Sequence, residues 1–417
     1  MPLAARFALF LVPVFLFAIP AAGAAEHWPE LRGTAARGMA PGKLPLEWSE
    51  SRGVKWKTPI HGKAWASPVI WDRQIWLTTA PPDGKQLYAI AVNGDSGQIE
   101  HDIKVFDNPF PQYCIDRNSY ASSTPVIEAG RVYVHFGAHG TACIDTASGK
   151  VLWSRRDLPC FHHRGPASSP ILFENLLILT FDGFDLQYLV ALDKRTGQTV
   201  WKTDRNIEYG SDNGDIKKGY GTPTVIHVGD SYQLVSPSAG AAMAYDPRTG
   251  VELWRVKAGG MNVSARPVFG HGLVFLTTAD GGFVQYAVDP AGRGDVTASH
   301  VVWKNTKGVP KHSSPLLVDD LILMANEQGI MTCLDARTGK DHWQRRVGGS
   351  FTASPLHAQG RVYFFDEEGQ TLVVSAAKRY ELLATNRLEE GCMATPAVLD
   401  DSLIIRTMGH LYRIESQ

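Results

Sequence analysis

The stretch Ala191-Leu192-Asp193-Lys194-Arg195-Thr196-Gly197-Gln198-Thr199-Val200-Trp201 contains a unit that recurs along the chain. Glycine follows the aspartate by four positions, and tryptophan follows it by eight. The aspartate can accept backbone N–H bonds within a tight turn, glycine supplies a positive φ, and the next strand presents tryptophan on a fixed face. The same offsets recur at Asp145, Gly149 and Trp153, at Asp246, Gly250 and Trp254, and at Asp335, Gly339 and Trp343. The unit therefore predicts a repeated β-hairpin.

A second pattern marks the start of each repeat. One residue, small in all repeats but one, precedes a proline and a short apolar strand at eight places: Ser67-Pro68, Thr124-Pro125, Ser169-Pro170, Thr222-Pro223, Arg266-Pro267, Ser314-Pro315, Ser354-Pro355 and Thr395-Pro396. The intervals between these prolines run from 40 to 57 residues. One four-stranded propeller blade has this length. The spacing therefore predicts eight blades.

Three repeats depart from the pattern without losing its phase. The first reads Asn93, Gly97 and His101, with histidine in place of tryptophan. The fifth carries an insertion before Trp303, and the seventh, residues 376–385, lacks both glycine and tryptophan. Because the proline spacing continues through all three, we expect each of them to form a blade.

The last repeat, residues 396–414, supplies only three strands. We predict that its outer strand is the segment near Trp56, paired with the final strand near Tyr412, because ring closure removes open sheet edges. The fold class is thus an all-β, eight-bladed β-propeller of four-stranded antiparallel blades, closed by the N-terminal strand. We expect residues 26–47 to form a lead-in and residues 48–417 the propeller. Its motif tryptophans, with rings buried between blades, are predicted at Trp56, Trp153, Trp201, Trp254, Trp303 and Trp343.

The N-terminus predicts export. Arg6 precedes an apolar run from Phe7 to Pro20 and a small-residue stretch, which together are typical of a signal peptide over residues 1–25. An uncleaved anchor is the alternative, and no cysteine follows for lipid attachment. The formal net charge of −1 excludes a broad basic field for nucleic acid. We expect a periplasmic or otherwise exported monomer with no membrane span after signal cleavage.

The units at residues 191–201 and 333–343 resemble the tryptophan motif of pyrroloquinoline-quinone (PQQ)-like propellers. This family includes the quinoprotein alcohol dehydrogenases and the propeller lipoprotein of the outer-membrane β-barrel assembly machine. The resemblance covers about residues 48–416 and implies an eight-bladed ring. It also implies that a dehydrogenase would hold its quinone over a tryptophan floor, beneath a disulfide between adjacent cysteines, with a metal ion and an aspartate base. This sequence has no adjacent cysteine pair.

Three long connections indicate where a site would lie. Residues 101–124, 153–169 and 201–222 join consecutive blades on one face, and loops of this length are usually functional or disordered. The candidate ligand-binding residues in them are Tyr113, Asp116, Arg117, His162, His163, Arg164, Tyr209 and Asp212. The alternative is that these loops pack on themselves and are polar because they are solvated.

Sulfur and metal chemistry give weaker signals. Cys114 and Cys160 lie in adjacent long loops, so a disulfide between them is a candidate. The residues His135, His139, His162, His163, Asp182 and Asp185 would suit a divalent metal if they converged, but ordinary hydrogen-bonded histidines are favoured and no metal site is predicted. We expect the carboxylates of residues 366–368 to form a solvated turn. The tripeptide Asn262-Val263-Ser264 matches a glycosylation acceptor by chance.

No nucleophile elbow, P-loop or H-E-x-x-H motif is present, so hydrolase and nucleotide chemistry have no support. The leading hypothesis is an exported propeller that uses the long-loop face to bind an envelope protein, a peptide or a small ligand, with no cofactor assigned. The alternative is a PQQ-dependent oxidoreductase of alcohols or sugars. A third hypothesis is a structural part of an envelope assembly.

Overall fold

The computed structural model describes residues 27–416, and the signal peptide predicted over residues 1–25 lies outside them. The predicted eight-bladed propeller is confirmed: eight antiparallel sheets of four blade strands each surround one axis. We name the strands of a blade A to D, from the axis outwards. Blade 1 comprises Val69–Trp71, Gln74–Thr79, Gln86–Asn93 and Ile99–Asp107; blade 2, Val126–Glu128, Arg131–His135, Thr141–Asp145 and Val151–Arg155; blade 3, Ile171–Phe173, Leu176–Asp182, Gln187–Asp193 and Thr199–Asp204; blade 4, Thr224–Val228, Ser231–Pro237, Ala242–Tyr245 and Glu252–Val256.

The remaining blades follow the same order. Blade 5 comprises Val268–Gly270, Leu273–Thr277, Gln285–Val288 and Val301–Asn305; blade 6, Leu316–Val318, Leu321–Ala325, Ile330–Asp335 and Asp341–Arg346; blade 7, Leu356–Ala358, Arg361–Phe365, Gln370–Ser375 and Leu382–Arg387; blade 8, Ala397–Leu399, Ser402–Arg406, His410–Ile414 and Val54–Pro59. The described part of the chain contains two short 3₁₀ helices, at Thr34–Ala36 and Gly214–Lys217. Among residues 27–416, no helix has the length and apolar content that crossing a bilayer requires.

Ring closure occurs where the sequence predicts it. Val54–Pro59 pairs antiparallel with His410–Ile414, with Trp56 opposite Arg413 and Lys57 opposite Tyr412. Lys57 also binds Glu50, with Nζ 2.6 Å from Oε1, and the Tyr412 hydroxyl donates to the same carboxylate at 3.1 Å. The first and last strands of the ring are thus joined by backbone and side-chain bonds, and blade 8 has four strands like the other blades.

The acidic turns and tryptophans form a girdle around the outer part of the ring. We call Trp56, Trp153, Trp201, Trp254, Trp303 and Trp343 the tryptophan girdle. In five of the six, the indole Nε1 donates at 3.0–3.1 Å to a backbone carbonyl in the C–D turn of the next blade. Gly197 has φ +74°, and a Cβ added there would lie 2.7 Å from the Trp153 ring. The turn glycine is therefore required both by its backbone conformation and by the neighbouring indole.

Trp254 is the exception, and the insertion of blade 5 explains it. The inserted strand Gly294–Asp295 pairs in parallel with strand D of blade 4 and places Gly294 opposite Trp254. The ring of Trp254 is fully buried. Its Nε1 donates to Gln233 Oε1 at 2.8 Å, and Gln233 Nε2 donates to Pro290 O at 3.1 Å. Gln233 thus relays the bond to the C–D turn that the other tryptophans reach directly.

The lead-in segment runs along the central channel. Trp28 exchanges backbone bonds with Ile70 of blade 1, and Pro29 O accepts from Ile127 of blade 2. Met39–Ala40 pairs in parallel with strand A of blade 7, and Lys43 N donates to Asp401 of blade 8. Because the segment contacts blades on several sides of the axis, it closes the channel at the end away from the long loops.

Blade 7 lacks the motif tryptophan, and Trp48, which directly follows the lead-in, packs in the same hydrophobic cluster. Ala384 pairs with Val373 in the register that Trp343 and Cys333 occupy in blade 6. Trp48 belongs to the same hydrophobic cluster as Ala384, and its backbone N donates to Asn386 Oδ1 at 2.7 Å. A tryptophan from outside the repeat therefore supplies bulk where the repeat has alanine.

Candidate functional site

The three long connections lie on one face, which we call the long-loop face; it carries the D-to-A connections and the B–C turns. An axial funnel of about 250 Å³ opens there. Residues from most blades line it, including Trp65, Arg117, Arg164, Tyr220, Asn262, Lys311 and Thr352. Leu31 of the lead-in also lines the funnel, and Leu31 O accepts from Arg266 Nη1 at 2.8 Å. The lead-in therefore forms the inner end of the funnel.

A ring of hydroxyl groups surrounds the funnel below its mouth. In six of the eight blades, the residue before the first proline donates its backbone N–H to the hydroxyl of the equivalent residue in the next blade. Six neighbouring pairs do so at 2.9–3.0 Å: Ser67 to Thr124, Thr124 to Ser169, Ser169 to Thr222, Arg266 to Ser314, Ser314 to Ser354, and Ser354 to Thr395. The recurring hydroxyl residues therefore connect neighbouring blades by hydrogen bonds, and they also form a polar wall around the funnel.

The three lysine and arginine side chains that line the funnel, Arg117, Arg164 and Lys311, are each paired with a carboxylate. Lys311 Nζ lies 2.8 Å from Asp280, and Arg164 Nη2 donates to Asp215 at 3.0 Å. Arg117 donates to both oxygens of Glu367 at 2.6 and 3.2 Å and so joins the first long loop to blade 7 across the face. Burial alone would raise the pKa of Glu367, but hydrogen bonds from Arg117 and Thr352 hold it below its usual value. The funnel mouth therefore carries charged groups whose positive and negative charges are paired.

Aromatic side chains crowd one side of the mouth. Tyr113, Phe161, His163 and Phe184 form what we call the rim cluster, in which His163 lies 6.1, 5.8 and 4.9 Å, respectively, from the other three ring centroids. Tyr113 is 60% exposed, and Phe110 in the same loop is 90% exposed. Asp185 Oδ1 accepts from Phe161 N at 2.7 Å, which fixes the second loop on blade 3. The cluster is therefore an exposed aromatic patch on an ordered base.

Beneath the rim lies a buried histidine and lysine pair. His162 Nε2 accepts the Ala138 backbone N–H at 2.9 Å, so the neutral ring carries its hydrogen on Nδ1. Lys218 Nζ lies 3.3 Å from that Nδ1 and is only 2% exposed. Burial lowers the pKa of Lys218 to about 8 and places that of His162 well below its ordinary value. This contact is a hydrogen bond only when the amine is unprotonated.

A buried ion pair supports the third loop from below. Arg205 Nε and Nη2 bind the two oxygens of Asp182 at 2.6 and 2.9 Å, and both side chains are fully buried. Arg205 Nη2 also donates to Ser236 Oγ in blade 4 at 2.8 Å, and Gly219 N donates to Asp182 O. The pair therefore ties blade 3, blade 4 and the loop that carries Lys218 into one unit.

The structure brings some of the predicted binding residues together and separates others. Arg117 and Arg164 line the funnel, while Tyr113 and His163 belong to the rim cluster. Asp116 lies at the mouth, where its carbonyl accepts from Lys63 Nζ. His162 is buried beneath the rim, Tyr209 lines a separate groove beside blades 4 and 5, and Asp212 is exposed. The third loop therefore contributes through Asp215, Lys218 and Tyr220 rather than through Tyr209 and Asp212.

Two expectations need correction. All five cysteines lie within residues 27–416 and are free thiols, so the predicted disulfide between Cys114 and Cys160 is not formed. The sulfur of Cys114 contacts the Arg164 carbonyl at 3.8 Å, whereas that of Cys160 lies 3.8 Å from His162 Nδ1. The two thiols thus point to different neighbours, and burial raises their pKa values to about 11 and 12.

The carboxylates of residues 366–368 are the second correction. Asp366 is buried, and its Oδ1 accepts the backbone N–H groups of Glu368 and Gln370 at 2.9 and 2.7 Å. Glu367 binds Arg117, so only Glu368 of the three is exposed to solvent as expected. The histidines and aspartates considered for a metal do not come together as one set of ligands. Within the described chain, no three His, Cys, Asp or Glu side chains form a metal-binding group.

Several side chains of the candidate site were not predicted from the sequence. Phe161 precedes two predicted residues and could have been found by its position, and Phe110 stands in a predicted loop. Phe184 lies in a B–C turn and Lys311 in a connection of ordinary length, so no local signal marked them. Asn262 is only 6% exposed and bonds Asp280, which agrees with reading its tripeptide as a chance match.

The funnel does not suit the quinone chemistry of the dehydrogenases that the repeat resembles. Leu31, not a tryptophan, forms its inner end, and Trp65 donates its Nε1 to Arg117 O at 2.9 Å near the mouth. Arg117, Arg164 and Lys311 already bind carboxylates. With no adjacent cysteine pair in the sequence, the residues present do not match that cofactor's requirements.

Comparison with known proteins agrees with this geometry. The family profile described as outer membrane protein assembly factor BamB matches residues 82–201 and 185–417. The BamB of Shewanella oneidensis is 24% identical over 316 residues, which is 71% of this chain and 74% of that protein. The crystal structure of BamB from Moraxella catarrhalis superposes with a TM-score of 0.64 at 11% identity, covering 87% of this chain and 97% of that one.

A second group shares the fold. The quinohemoprotein alcohol dehydrogenase of Comamonas testosteroni superposes with a TM-score of 0.67 at 12% identity, covering 95% of this chain and 82% of that one. Structural similarity at this level of sequence identity shows only that the two proteins share the propeller fold, and function must be argued from the site. The profile match, in contrast, covers most of the chain in two overlapping segments. This chain belongs to the outer membrane protein assembly factor BamB family of PQQ-like propellers.

Proposed function

We propose that this protein is an exported assembly scaffold of the cell envelope that binds a partner protein through the rim cluster and Phe110 on the long-loop face. The observation that carries the proposal is the exposure of Phe110, Tyr113 and Phe161, which are 90%, 60% and 40% exposed. Large exposed apolar patches rimmed by polar groups mark interaction sites on soluble proteins. Catalysis is not part of the proposal, because the funnel residues do not match the quinone chemistry of the related dehydrogenases.

The arrangement of the rim favours a protein partner. Tyrosine and phenylalanine bury large areas at low entropic cost, and such residues dominate the binding energy of protein interfaces. Arg164 and Asp215 lie beside the cluster and supply a polar border at 3.0 Å from each other. Since Asp185 and the buried Asp182–Arg205 pair hold the underlying loops, little ordering cost remains for association.

Family membership suggests which partners to expect. The relatives are outer membrane protein assembly factors by name, so we infer that the partner belongs to the outer-membrane assembly apparatus. The predicted signal peptide over residues 1–25 fits a periplasmic location for such a scaffold. A propeller with eight similar wedges offers a rigid platform, and the long loops of blades 1–3 give it a unique side.

The test is capture of assembly proteins by the tagged full-length protein from envelope extract of its own host, quantified by mass spectrometry. We expect the double substitution Phe110→Ser and Tyr113→Ser to reduce the captured assembly proteins at least tenfold, which corresponds to about 1.4 kcal/mol. Its unfolding free energy should change by no more than about 0.5 kcal/mol, because both side chains are mainly exposed.

Two controls locate the effect. Phe283→Ser removes another exposed phenylalanine, 41% exposed, from the B–C turn of blade 5 on the same face. Val302→Ser removes an exposed apolar side chain from the outer edge of that blade. Both should capture as the unaltered protein does. Undiminished capture by the double variant, or equal loss in the controls, would refute a role for the rim cluster.

A further inference from the structure

The axial funnel contains an unmet hydrogen-bonding group. Asn262 Nδ2 donates to Asp280 Oδ2 at 2.8 Å, whereas its Oδ1 has no hydrogen-bond partner among residues 27–416. The side chain lines the funnel and is 6% exposed. Its backbone has φ +56°, a left-handed conformation that asparagine tolerates better than most residues. Oδ1 itself has almost no accessible surface, so a donor in the funnel can satisfy it only when the Asn262 side chain turns towards the funnel.

The charge balance of the wall indicates a neutral ligand. Lys311, Arg164 and Arg117 each already bind a carboxylate, so neither an anion nor a cation finds an unpaired opposite charge. The paired groups still offer further N–H donors, since each cation carries more hydrogens than its partner uses. A ligand that both donates and accepts without net charge matches this wall.

The other residues that line the funnel restrict the size and the chemical groups of the ligand. The hydroxyl ring that includes Thr222 and Ser354 offers polar contacts around the funnel, while the rings of Trp65 and Tyr220 offer apolar surfaces. The volume of about 250 Å³ lies below the roughly 300–1,000 Å³ typical of pockets for drug-sized ligands. The occupant is therefore small, with hydroxyl groups on its edges and C–H groups on its faces.

We propose that the axial funnel binds a neutral, polyhydroxylated small molecule of the size of one sugar ring, with Asn262 Oδ1 accepting a hydroxyl hydrogen. This site is separate from the rim cluster and goes beyond the scaffold role. Failure of one proposal leaves the other standing, because the rim variants do not alter the funnel and Asn262 does not belong to the rim.

The experiment titrates D-glucose, D-galactose and N-acetyl-D-glucosamine into the full-length protein, with binding followed by calorimetry and by saturation-transfer NMR. At least one of these probes is expected to bind with Kd below about 10 mM. Asn262→Gly keeps the positive φ and removes the acceptor, so binding should weaken at least tenfold. Asn206→Gly is the matched control: Asn206 has φ +48°, is exposed and lies outside the funnel, and its substitution should leave binding unchanged.

A readout on the unaltered protein covers the case in which Asn262→Gly does not fold. The Trp65 indole N–H resonance, assigned by its loss in Trp65→Phe, should shift when the bound sugar is added. The proposal is overturned if none of the three sugars binds below about 10 mM, if Asn262→Gly binds as the unaltered protein does, or if that resonance does not move. Tighter binding of glycine or acetate than of the sugars would overturn the assignment to a neutral ligand.

Discussion

The tryptophan girdle and the rim cluster both use aromatic side chains, but in opposite ways. In the girdle, each indole packs against the next blade, and five of the six donate to its C–D turn at 3.0–3.1 Å. In the rim cluster, Tyr113 is 60% exposed, and its neighbour Phe110 is 90% exposed. The first set recurs with the repeat and the second does not. Repetition therefore specifies the ring, while the unrepeated loops carry the surface that we propose for partner binding.

Trp254→Ala should give the largest loss of stability. This ring is fully buried under the inserted strand of blade 5, so its removal leaves a cavity and should cost about 4 kcal/mol of unfolding free energy. Trp153 is only half-buried, and Trp153→Ala should cost at least about 1 kcal/mol less. Chemical denaturation followed by tryptophan-independent circular dichroism measures both variants.

Equal losses for the two tryptophans would show that the inserted strand adds nothing to the girdle. Trp254→Phe provides the control for bulk, because it keeps most of the buried ring and loses the bond to Gln233. It should fall between the unaltered protein and Trp254→Ala.

The pH dependence of stability probes the layer beneath the rim. Burial, with a smaller effect of His139, lowers the pKa of His135 to about 3, so the folded state holds this ring neutral. The unfolded chain takes up the proton below about pH 6.5, and stability is lost as pH falls from there towards 3. His135→Gln removes this proton uptake and should reduce the stability lost between pH 7 and pH 5 by about 2 kcal/mol.

Denaturation midpoints at several pH values measure this difference. Parallel curves for His135→Gln and the unaltered protein would show that His135 is not held neutral. Substitution of Phe110 should leave the pH dependence of stability unchanged. The pH effect can therefore be assigned to His135 rather than to the exposed aromatic residues.

Substitutions of two glycines test the contact between a turn and the tryptophan girdle, and they should give the smallest changes in stability. Gly197 and Gly229 both have positive φ, but an added Cβ lies 2.7 Å from the Trp153 ring at the first and meets nothing within 4 Å at the second. Gly229→Ala should cost about 1 kcal/mol for the backbone alone. Gly197→Ala should cost about 1 kcal/mol more, because the indole must also shift. Equal losses in thermal denaturation would contradict the proposed indole contact.

The sequence predicted the fold well because its signals are local and repeated. The spacing from Asp193 to Gly197 and Trp201 predicts one hairpin, and the spacing between successive Ser/Thr-Pro pairs predicts the length of a blade. Ring closure near Trp56 was predictable because a three-stranded last blade leaves an unpaired edge. The relay through Gln233 was not, since it follows from an insertion in the next blade.

The candidate site was predicted only in part, because its contacts join distant segments. Arg117 was singled out for its loop, but nothing local indicated that Glu367 would bind it from blade 7. The proposed Cys114–Cys160 disulfide failed because adjacency of loops does not fix the direction of side chains. Asn262 shows its significance only once Asp280 and the funnel wall are in place.

Site-specific photo-crosslinking in intact envelopes tests the central claim most directly. A photoreactive aromatic residue at position 113 places the probe in the rim cluster, and one at position 251 places it at an exposed apolar site in the C–D turn of blade 4. The account predicts crosslinks to outer-membrane assembly proteins from position 113 and none from position 251. Crosslinks from position 251 with none from position 113 would contradict it.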